Sequence, residues 1–507
     1  MNSKNALMIQ GTGSGVGKSI ITAALCRHFY NKGHKVAPFK AQNMANNAFV
    51  TKDGGEIGRA QAFQAEASGV EPHVTMNPIL LKPCSDNSSQ VIIMGKLKTT
   101  SNAKDYYNQF DEHLSCVTDA FTKLHKQYDL IIMEGAGSPA EINLKSVDLV
   151  NMKAAEIANA SVLLVGDIDK GGVFAWLKGT LDLLTQKERD RVKGVIINKF
   201  RGDIDILLPG LKQFEDLTGK PVLGVIPYIK NLTVDEEDSI PEWQYPATTK
   251  NIQPLDAAVI WYPRIANCTD MSPLAHDPAV SMRYVSYPSQ LGNPDMIILP
   301  GTKNTLADLA DLKDRGLDKT ILELHEQGTV LLGICGGFQM LGKTLQDPDH
   351  IEGSITHEEG LNLFDKETTW QKEKITRQVE SHTISGPLFK SGVKVEGYEI
   401  HMGLTKFNNG FVPMFEGEKD GYPLGITDKD GTIIGTYLHG FLDNDIFRNL
   451  LLSHVRKKRN LPHPEKVFDY KFFRKQQLNQ LEQQICSALD MSQIETFISN
   501  EQKILFN

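Results

Sequence analysis

Short runs of uninterrupted apolar residues, each followed by a stretch of helical character, constrain this chain more than any other feature. In the first half they fall at 6–10, 130–133, 162–165, 195–197 and 222–226. A strand that is apolar on both faces belongs inside a parallel sheet covered by helices, since a half-exposed strand alternates apolar with polar residues. The pattern stops in the Pro-punctuated, non-periodic stretch 241–250, which reads as a linker. It resumes with runs at 257–260, 296–299, 330–332 and 433–437. Two α/β domains are expected, 1–245 and 252–441, followed by a polar, Gln-rich helical extension over 442–507. A length of 507 residues, too great for a single core, agrees with that division.

The remaining totals act by exclusion. A net charge of -8 argues against a general nucleic-acid binder, which needs a basic face for phosphate. The six cysteines (Cys26, Cys84, Cys116, Cys268, Cys335, Cys486) show no CxxC spacing, so neither a zinc site nor a disulfide framework is expected. No apolar run approaches the roughly 20 residues of a membrane span. The polar first residues enter a strand directly, so we expect no signal peptide and a cytoplasmic location. The acidic run 235–238 and the basic run 456–459 read as solvated faces.

The first strand leads into Gly-Thr-Gly-Ser-Gly-Val-Gly-Lys-Ser over 11–19, and a helical pattern follows at once. Glycines let successive backbone N–H groups converge on phosphate oxygens, and a helix N-terminus adds positive potential. Lys18 is placed to reach the outer phosphates, and the Ser19 hydroxyl to ligate Mg²⁺. A metal-binding acid is expected at the end of a neighbouring strand, where Glu134 precedes Gly-Ala-Gly. Asp167 and Asp169 end another strand, as further metal candidates or as helix caps. The loop resembles the variant phosphate loop of the dethiobiotin synthetase group, which activates carboxylates with ATP, because Thr12 stands in place of the usual first glycine. Chromosome-partitioning ATPases carry a signature lysine where this chain has Gly13. The resemblance implies ATP contacts from Thr12, Gly13, Gly15, Val16, Gly17, Lys18 and Ser19, with Asn198 placed to read the base.

In the second half, Cys335 lies between a buried-strand pattern and a helix start, flanked by glycines in Gly-Ile-Cys-Gly-Gly. That is the layout of a nucleophile elbow, a strained turn that holds a side chain over a helix N-terminus and favours the thiolate. A nucleophilic cysteine needs a histidine to carry its proton. His439, in Thr-Tyr-Leu-His-Gly at the end of a late strand, is the candidate, with His401 as the alternative base. These segments resemble the class I glutamine amidotransferases. The resemblance implies an oxyanion hole from Gly301, Thr302 and Gly336, and a glutamine contact from Gln339. Most members carry a Glu two residues after the His, where this chain has Phe441. Asp443 and Glu399 are the carboxylates considered as substitutes.

Further segments extend the resemblance across residues 5–450. Phe-Lys-Ala-Gln-Asn-Met-Ala-Asn-Asn over 39–47, Glu-Ile-Gly-Arg-Ala-Gln over 56–61 and Asn-Pro-Ile-Leu-Leu-Lys-Pro over 77–83 are similar to those of the cobyric acid synthase family, the corrinoid amidases of cobalamin biosynthesis. So are 135–143 and 167–174. The resemblance implies ATP, Mg²⁺ and glutamine as reactants and cofactor. Its implied substrate is a corrinoid, adenosylcobyrinic acid a,c-diamide, amidated at four side-chain carboxylates. An open polar cleft carrying Lys40, Asn43, Asn46, Asn47 and Lys82 is expected to receive that polycarboxylate. The a,c-diamide synthase, or an ATP-driven switch with an inactive glutaminase half, are the competing readings.

Overall fold

The computed structural model describes residues 5–85, 88–229, 244–248, 252–419 and 422–499. The acidic run 235–238 and both ends of the expected linker, 241–243 and 249–250, lie outside the described residues. The chain divides into two compact units, one of residues 1–45, 55–239 and 474–507, the other of 46–54 and 240–473.

Unit 1 is built on a six-stranded sheet in the order Val222–Pro227, Val192–Phe200, Ser161–Asp167, Asn5–Gly11, Leu130–Glu134, Val36–Phe39. All neighbours run parallel. The strand Asn5–Gly11 is central, and its neighbours leave for opposite sides of the sheet. Ligands in such sheets bind beyond the carboxyl ends of strands at that switch point. The register puts Ile9 opposite Glu134 and Gly11 opposite Val165. The phosphate loop and Glu134 therefore leave the sheet side by side.

Helices cover both faces of the sheet, each with its own buried layer. The helix Lys18–Asn31 fills one layer with Ile21, Leu25 and Phe29. Leu478, Leu481, Ile485 and Ile494 from the end of the chain join that layer. Arg27 donates two hydrogen bonds to Asn479 Oδ1 (3.0 and 2.8 Å). Residues 474–499 are thus part of the core of unit 1, despite their polar composition. A second sheet, Gln42–Met44, Ile79–Ser85, Ser88–Ile93 and Lys96–Ser101, has no counterpart in the sequence reading.

Unit 2 has an eight-stranded sheet whose five central strands are parallel, in the order Val280–Val285, Leu255–Ile260, Met296–Leu299, Val330–Ile334, Ile433–Thr436. The strand leading to Cys335 lies between the strand ending at Leu299 and the strand ending at Thr436. Three loops therefore leave at one edge, carrying Gly301–Thr302, Cys335 and His439. A long hairpin, Lys366–His382 paired with Lys394–Phe407, forms most of a separate sheet. The basic run 456–459 is not simply a solvated face. Arg456 is buried and donates to the carbonyls of Gln253, Ala279 and Pro462, while Arg459 pairs with Asp295.

Candidate active sites

At the glutaminase-like site Cys335 adopts φ 50°, ψ −107°, in the left-handed half of backbone space. A non-glycine residue there is strained by roughly 1–3 kcal/mol and persists only where its surroundings over-determine it. The surroundings here are close-packed backbone. A Cβ on Gly337 would sit 1.9 Å from the Leu299 carbonyl oxygen, and one on Gly333 would sit 2.8 Å from that of Gly337. Cys335 N donates to Thr436 O at 2.8 Å, fixing the elbow to the next strand. The thiol is buried, 3.7 Å from Ile400 O on the hairpin.

The loop after Leu299 meets this elbow. A Cβ on Gly301 would lie 3.3 Å from His439 Cε1 and 3.8 Å from Cys335 Cβ, and one on Gly336 would lie 3.2 Å from Thr302 N. Cys335, His439, Gly301, Thr302 and Gly336 are thus brought together. Gln339 is also close but buried, its Oε1 accepting from Thr305 Oγ1 at 3.2 Å. His401 is not directed at the thiol. Its Nδ1 faces Gly403 O at 3.0 Å, its Nε2 faces Tyr422 OH at 3.3 Å, and its ring stacks on Tyr437.

The imidazole of His439 is fully buried. Its Nδ1 lies 2.6 Å from Asp270 Oδ2, and Asp270 Oδ1 accepts from Gly440 N at 2.9 Å. Burial works against a charged imidazole. The Asp270 carboxylate outweighs that by its charge and hydrogen bond, with a smaller contribution from Cys335, and the His439 pKa is raised to about 10.

At the phosphate loop, Gly15 and Gly17 take positive φ (70° and 98°) where the chain turns into the helix. Lys18 Nζ lies 2.8 Å from Gly13 O and 3.3 Å from Gly137 O, so it bridges this loop and the one after Glu134. Glu134 is the hub of the site. Its Oε1 accepts from Ser19 Oγ (2.8 Å) and Lys40 Nζ (3.0 Å), and its Oε2 from Gln64 Nε2 (2.5 Å). Burial opposes ionisation of Glu134, but Lys40 foremost, with Gln64 and Lys18, holds its carboxyl below the usual range. A hydroxyl and an ionised carboxylate are hard oxygen donors of the kind Mg²⁺ takes beside phosphates, so Ser19 and Glu134 fit that ion. Val16 is buried, and Thr12 N is tied to Val165 O at 2.9 Å.

Asn198, expected at the base, is held against the phosphate loop. It is buried beneath the phosphate loop, donating to Val16 O at 2.8 Å, and a Cβ on Gly17 would collide with its amide at 2.1 Å. Its strand, register-matched at Asp167, brings it there and makes it a brace. Asp167 accepts from Asp169 N (2.9 Å) and pairs with Lys199 (3.0 Å), while Asp169 pairs with Arg201 (3.0 Å).

Family models match two stretches of the chain. Residues 7–241 match the CobQ/CobB/MinD/ParA nucleotide binding domain, and residues 256–447 the CobB/CobQ-like glutamine amidotransferase domain. A cobyric acid synthase from Caldanaerobacter subterraneus subsp. tengcongensis is 48% identical over 501 residues, covering 96% of this chain and 97% of its own. One from Clostridium botulinum is 46% identical over 497 residues, covering 97% and 99%. The chain belongs to the cobyric acid synthase family. It is an enzyme of that family, with a nucleotide-binding domain and a glutamine amidotransferase domain. Among the described residues no helix is long and apolar enough to cross a membrane.

Two features of this cobyric acid synthase family member were not legible in its sequence. The carboxylate on His439 is Asp270, 169 residues away, rather than Asp443 or Glu399. Glu399 is engaged by Arg377 and lies 3.3 Å from Tyr422 OH. The only signal for Asp270 is an acid in a short polar segment after a parallel strand, which many loops share. The residues expected to line an open polar cleft differ in burial. Lys40, Asn43 and Lys82 are buried in unit 1, paired with Glu134, Gln61 and Glu56 respectively. Of the two that group with unit 2, Asn46 is exposed and Asn47 accepts a hydrogen bond from Asn267 N. Buried ammonium and amide groups need partners, and here the fold supplies them.

Proposed function

We propose that this enzyme amidates the b, d, e and g carboxylates of adenosylcobyrinic acid a,c-diamide, using glutamine as nitrogen donor and ATP to activate each carboxylate as an acyl phosphate. The observation that carries the nitrogen-donor half is Cys335 on a strained elbow beside a histidine whose far nitrogen is bound to Asp270. The family membership supports the corrinoid substrate.

With its pKa raised to about 10, His439 holds its proton through neutral pH and faces the cysteine as an imidazolium. The Cys335 sulfur attacks the glutamine amide carbon, forming a C–S bond while negative charge collects on the oxygen. Backbone N–H groups of Thr302 and Gly336 are the assigned donors to that oxygen, each worth about 3 kcal/mol in such sites. His439 gives its proton to the nitrogen as the C–N bond breaks and ammonia leaves. Water then cleaves the thioester and frees glutamate.

In unit 1 a substrate carboxylate oxygen attacks the γ-phosphorus of ATP and ADP departs. Lys18, the glycine-loop N–H groups and Lys40 supply the positive charge around the transferring group. Mg²⁺, held by Ser19 and Glu134, would add charge neutralisation at the phosphates. Ammonia then displaces phosphate from the acyl carbon. We assign Lys40 to this chemistry, on its 3.0 Å contact with Glu134, and no longer to corrinoid binding.

The separation of centres has a direct test. Cys335→Ala supplied with ammonium salt and ATP is expected to amidate the corrinoid, and with glutamine to do nothing. An inactive variant under ammonium would defeat the proposal.

A further inference from the structure

The segment Phe-Lys-Ala-Gln-Asn-Met-Ala-Asn-Asn over 39–47 contains residues that the two centres leave unexplained. Its end passes into unit 2, where residues 46–54 group with the amidotransferase fold although they interrupt unit 1 in sequence. Both flanks are fixed within unit 1. Ala45 N donates to Leu81 O at 3.1 Å, and Glu56 N to Gly95 O at 2.9 Å.

Within unit 2 this segment reaches the catalytic imidazole through two residues. Asn47 Oδ1 accepts from Asn267 N (2.9 Å), and Ala48 N donates to Asn267 Oδ1 (3.3 Å). With its oxygen so engaged, the Asn267 side chain turns its Nδ2 to His439, 3.5 Å from Nδ1 and 3.3 Å from Nε2. The amide thus meets the ring at near-equal distances from both nitrogens. Asn267 also takes φ 54° and begins the short turn Cys268–Met271 that carries Asp270. Asparagine tolerates this left-handed conformation better than most residues.

The second residue is Tyr398 on the hairpin. Its ring stacks on His439 (centroids 5.3 Å, planes 22° apart), and its hydroxyl donates to Ala48 O at 3.2 Å. Its backbone exchanges two hydrogen bonds with His439, Tyr398 N to His439 O at 3.0 Å and His439 N to Tyr398 O at 2.8 Å. Residues 47 and 48 therefore hold, by three hydrogen bonds, the two residues whose side chains meet the imidazole: one bond to the Asn267 backbone, one to its side chain and one to the Tyr398 hydroxyl.

We propose that Asn47, acting through Asn267, is a positioning residue of the glutaminase site, and that residues 46–48 with Tyr398 hold the His439 ring at the angle that serves Cys335. The titratable groups facing the imidazole are Asp270, from the turn Cys268–Met271, and Cys335, from the elbow. Asn47 and Tyr398 add no charge, so their effect is on geometry. The inference rests on the glutaminase reading above, and one of its readouts is independent of turnover.

The test uses the full-length chain with Asn47→Ala, Asn47→Asp and Tyr398→Phe. Iodoacetamide labelling of Cys335 at neutral pH, timed by mass spectrometry of its peptide, reads the reactivity of the thiol beside His439 with no substrate present. Asn47→Ala is expected to slow labelling about threefold or more, because a displaced ring changes the packing that meets the thiol. Glutamine hydrolysis should fall about tenfold in kcat with the KM for glutamine changed less than twofold. Asn47→Asp keeps an acceptor for Asn267 N and should recover most of both. Tyr398→Phe keeps the stacked ring and should give a smaller change in the same direction. Ammonium-driven amidation should stay near wild type in all three. An unchanged labelling rate in Asn47→Ala and Tyr398→Phe overturns the proposal. So does equal loss of glutamine- and ammonium-driven activity, which marks a general folding defect. Absence of glutamine turnover in the wild type, with the labelling change intact, would instead refute the proposed function.

Discussion

Asp270→Asn is the perturbation that bears hardest on the glutaminase chemistry. In the native site one carboxylate oxygen accepts from Gly440 N at 2.9 Å while the other lies 2.6 Å from His439 Nδ1. An asparagine would keep its oxygen on Gly440 N and turn its NH₂ group toward Nδ1. Nδ1 must then accept, so the ring proton moves to Nε2 and the imidazolium loses its partner. The charge-assisted hydrogen bond lost is worth about 1.5–3 kcal/mol. The His439 pKa, raised to about 10 with the carboxylate present, falls toward or below the ordinary 6.5, because burial alone opposes the charged form. That bond is also what keeps the ring charged near neutral pH, so its loss gives about 1.5–3 kcal/mol in all, roughly 10- to 150-fold in kcat for glutamine hydrolysis. The assay is glutamate release, run beside ammonium-driven amidation, which should hold within twofold. A loss in glutamate release below about fivefold would refute the reasoning that Asp270 orients and charges His439.

The same pair makes stability depend on pH. His439 binds its proton more tightly folded than unfolded, so its contribution is full below about pH 6.5 and is lost as pH rises toward 10. Thermal melts should show this decline in the wild type and a flatter profile in Asp270→Asn. Gly337→Ala drives a methyl group to 1.9 Å from the Leu299 carbonyl oxygen, so a loss of about 3 kcal/mol or failure to fold is expected in denaturant unfolding. Glu134→Gln should cut ATP-dependent amidation about a hundredfold and leave glutamate release within twofold of wild type, measured on one preparation. Asn198→Ala removes the brace under Val16 and should raise the KM for ATP about tenfold without changing the preference for adenine over guanine nucleotides. A change in base preference would instead mark Asn198 as a base reader.

The architecture was legible where chemistry and periodicity coincide. Runs such as 130–133 and 330–332 are apolar on both faces, and each became a buried parallel strand. The phosphate loop and the cysteine elbow were legible because backbone geometry demands glycine at fixed spacings there. Contacts between distant segments were not. Asp270 and Asn267 are polar residues in a short loop, and only folding sets them against His439. The hairpin Lys366–His382 with Lys394–Phe407 carries many charges and mixed alternation, so its strands had no apolar signature. The polar helix Tyr470–Cys486 concealed Leu478, Leu481 and Ile485, whose spacing of three and four residues is that of a core-facing stripe. Lys40 and Lys82 were assigned to an open cleft from side-chain charge alone, which carries no information about burial.

The proposal that a glutamine-hydrolysing centre and an ATP-using centre act together on one corrinoid is tested most directly by a product-mass series on purified protein, given adenosylcobyrinic acid a,c-diamide with ATP, Mg²⁺ and glutamine. Conversion of four carboxylates to amides is expected, with glutamate and phosphate released in step with each amide. No mass change on the a,c-diamide, or amidation only of cobyrinic acid at its a and c positions, would contradict the account.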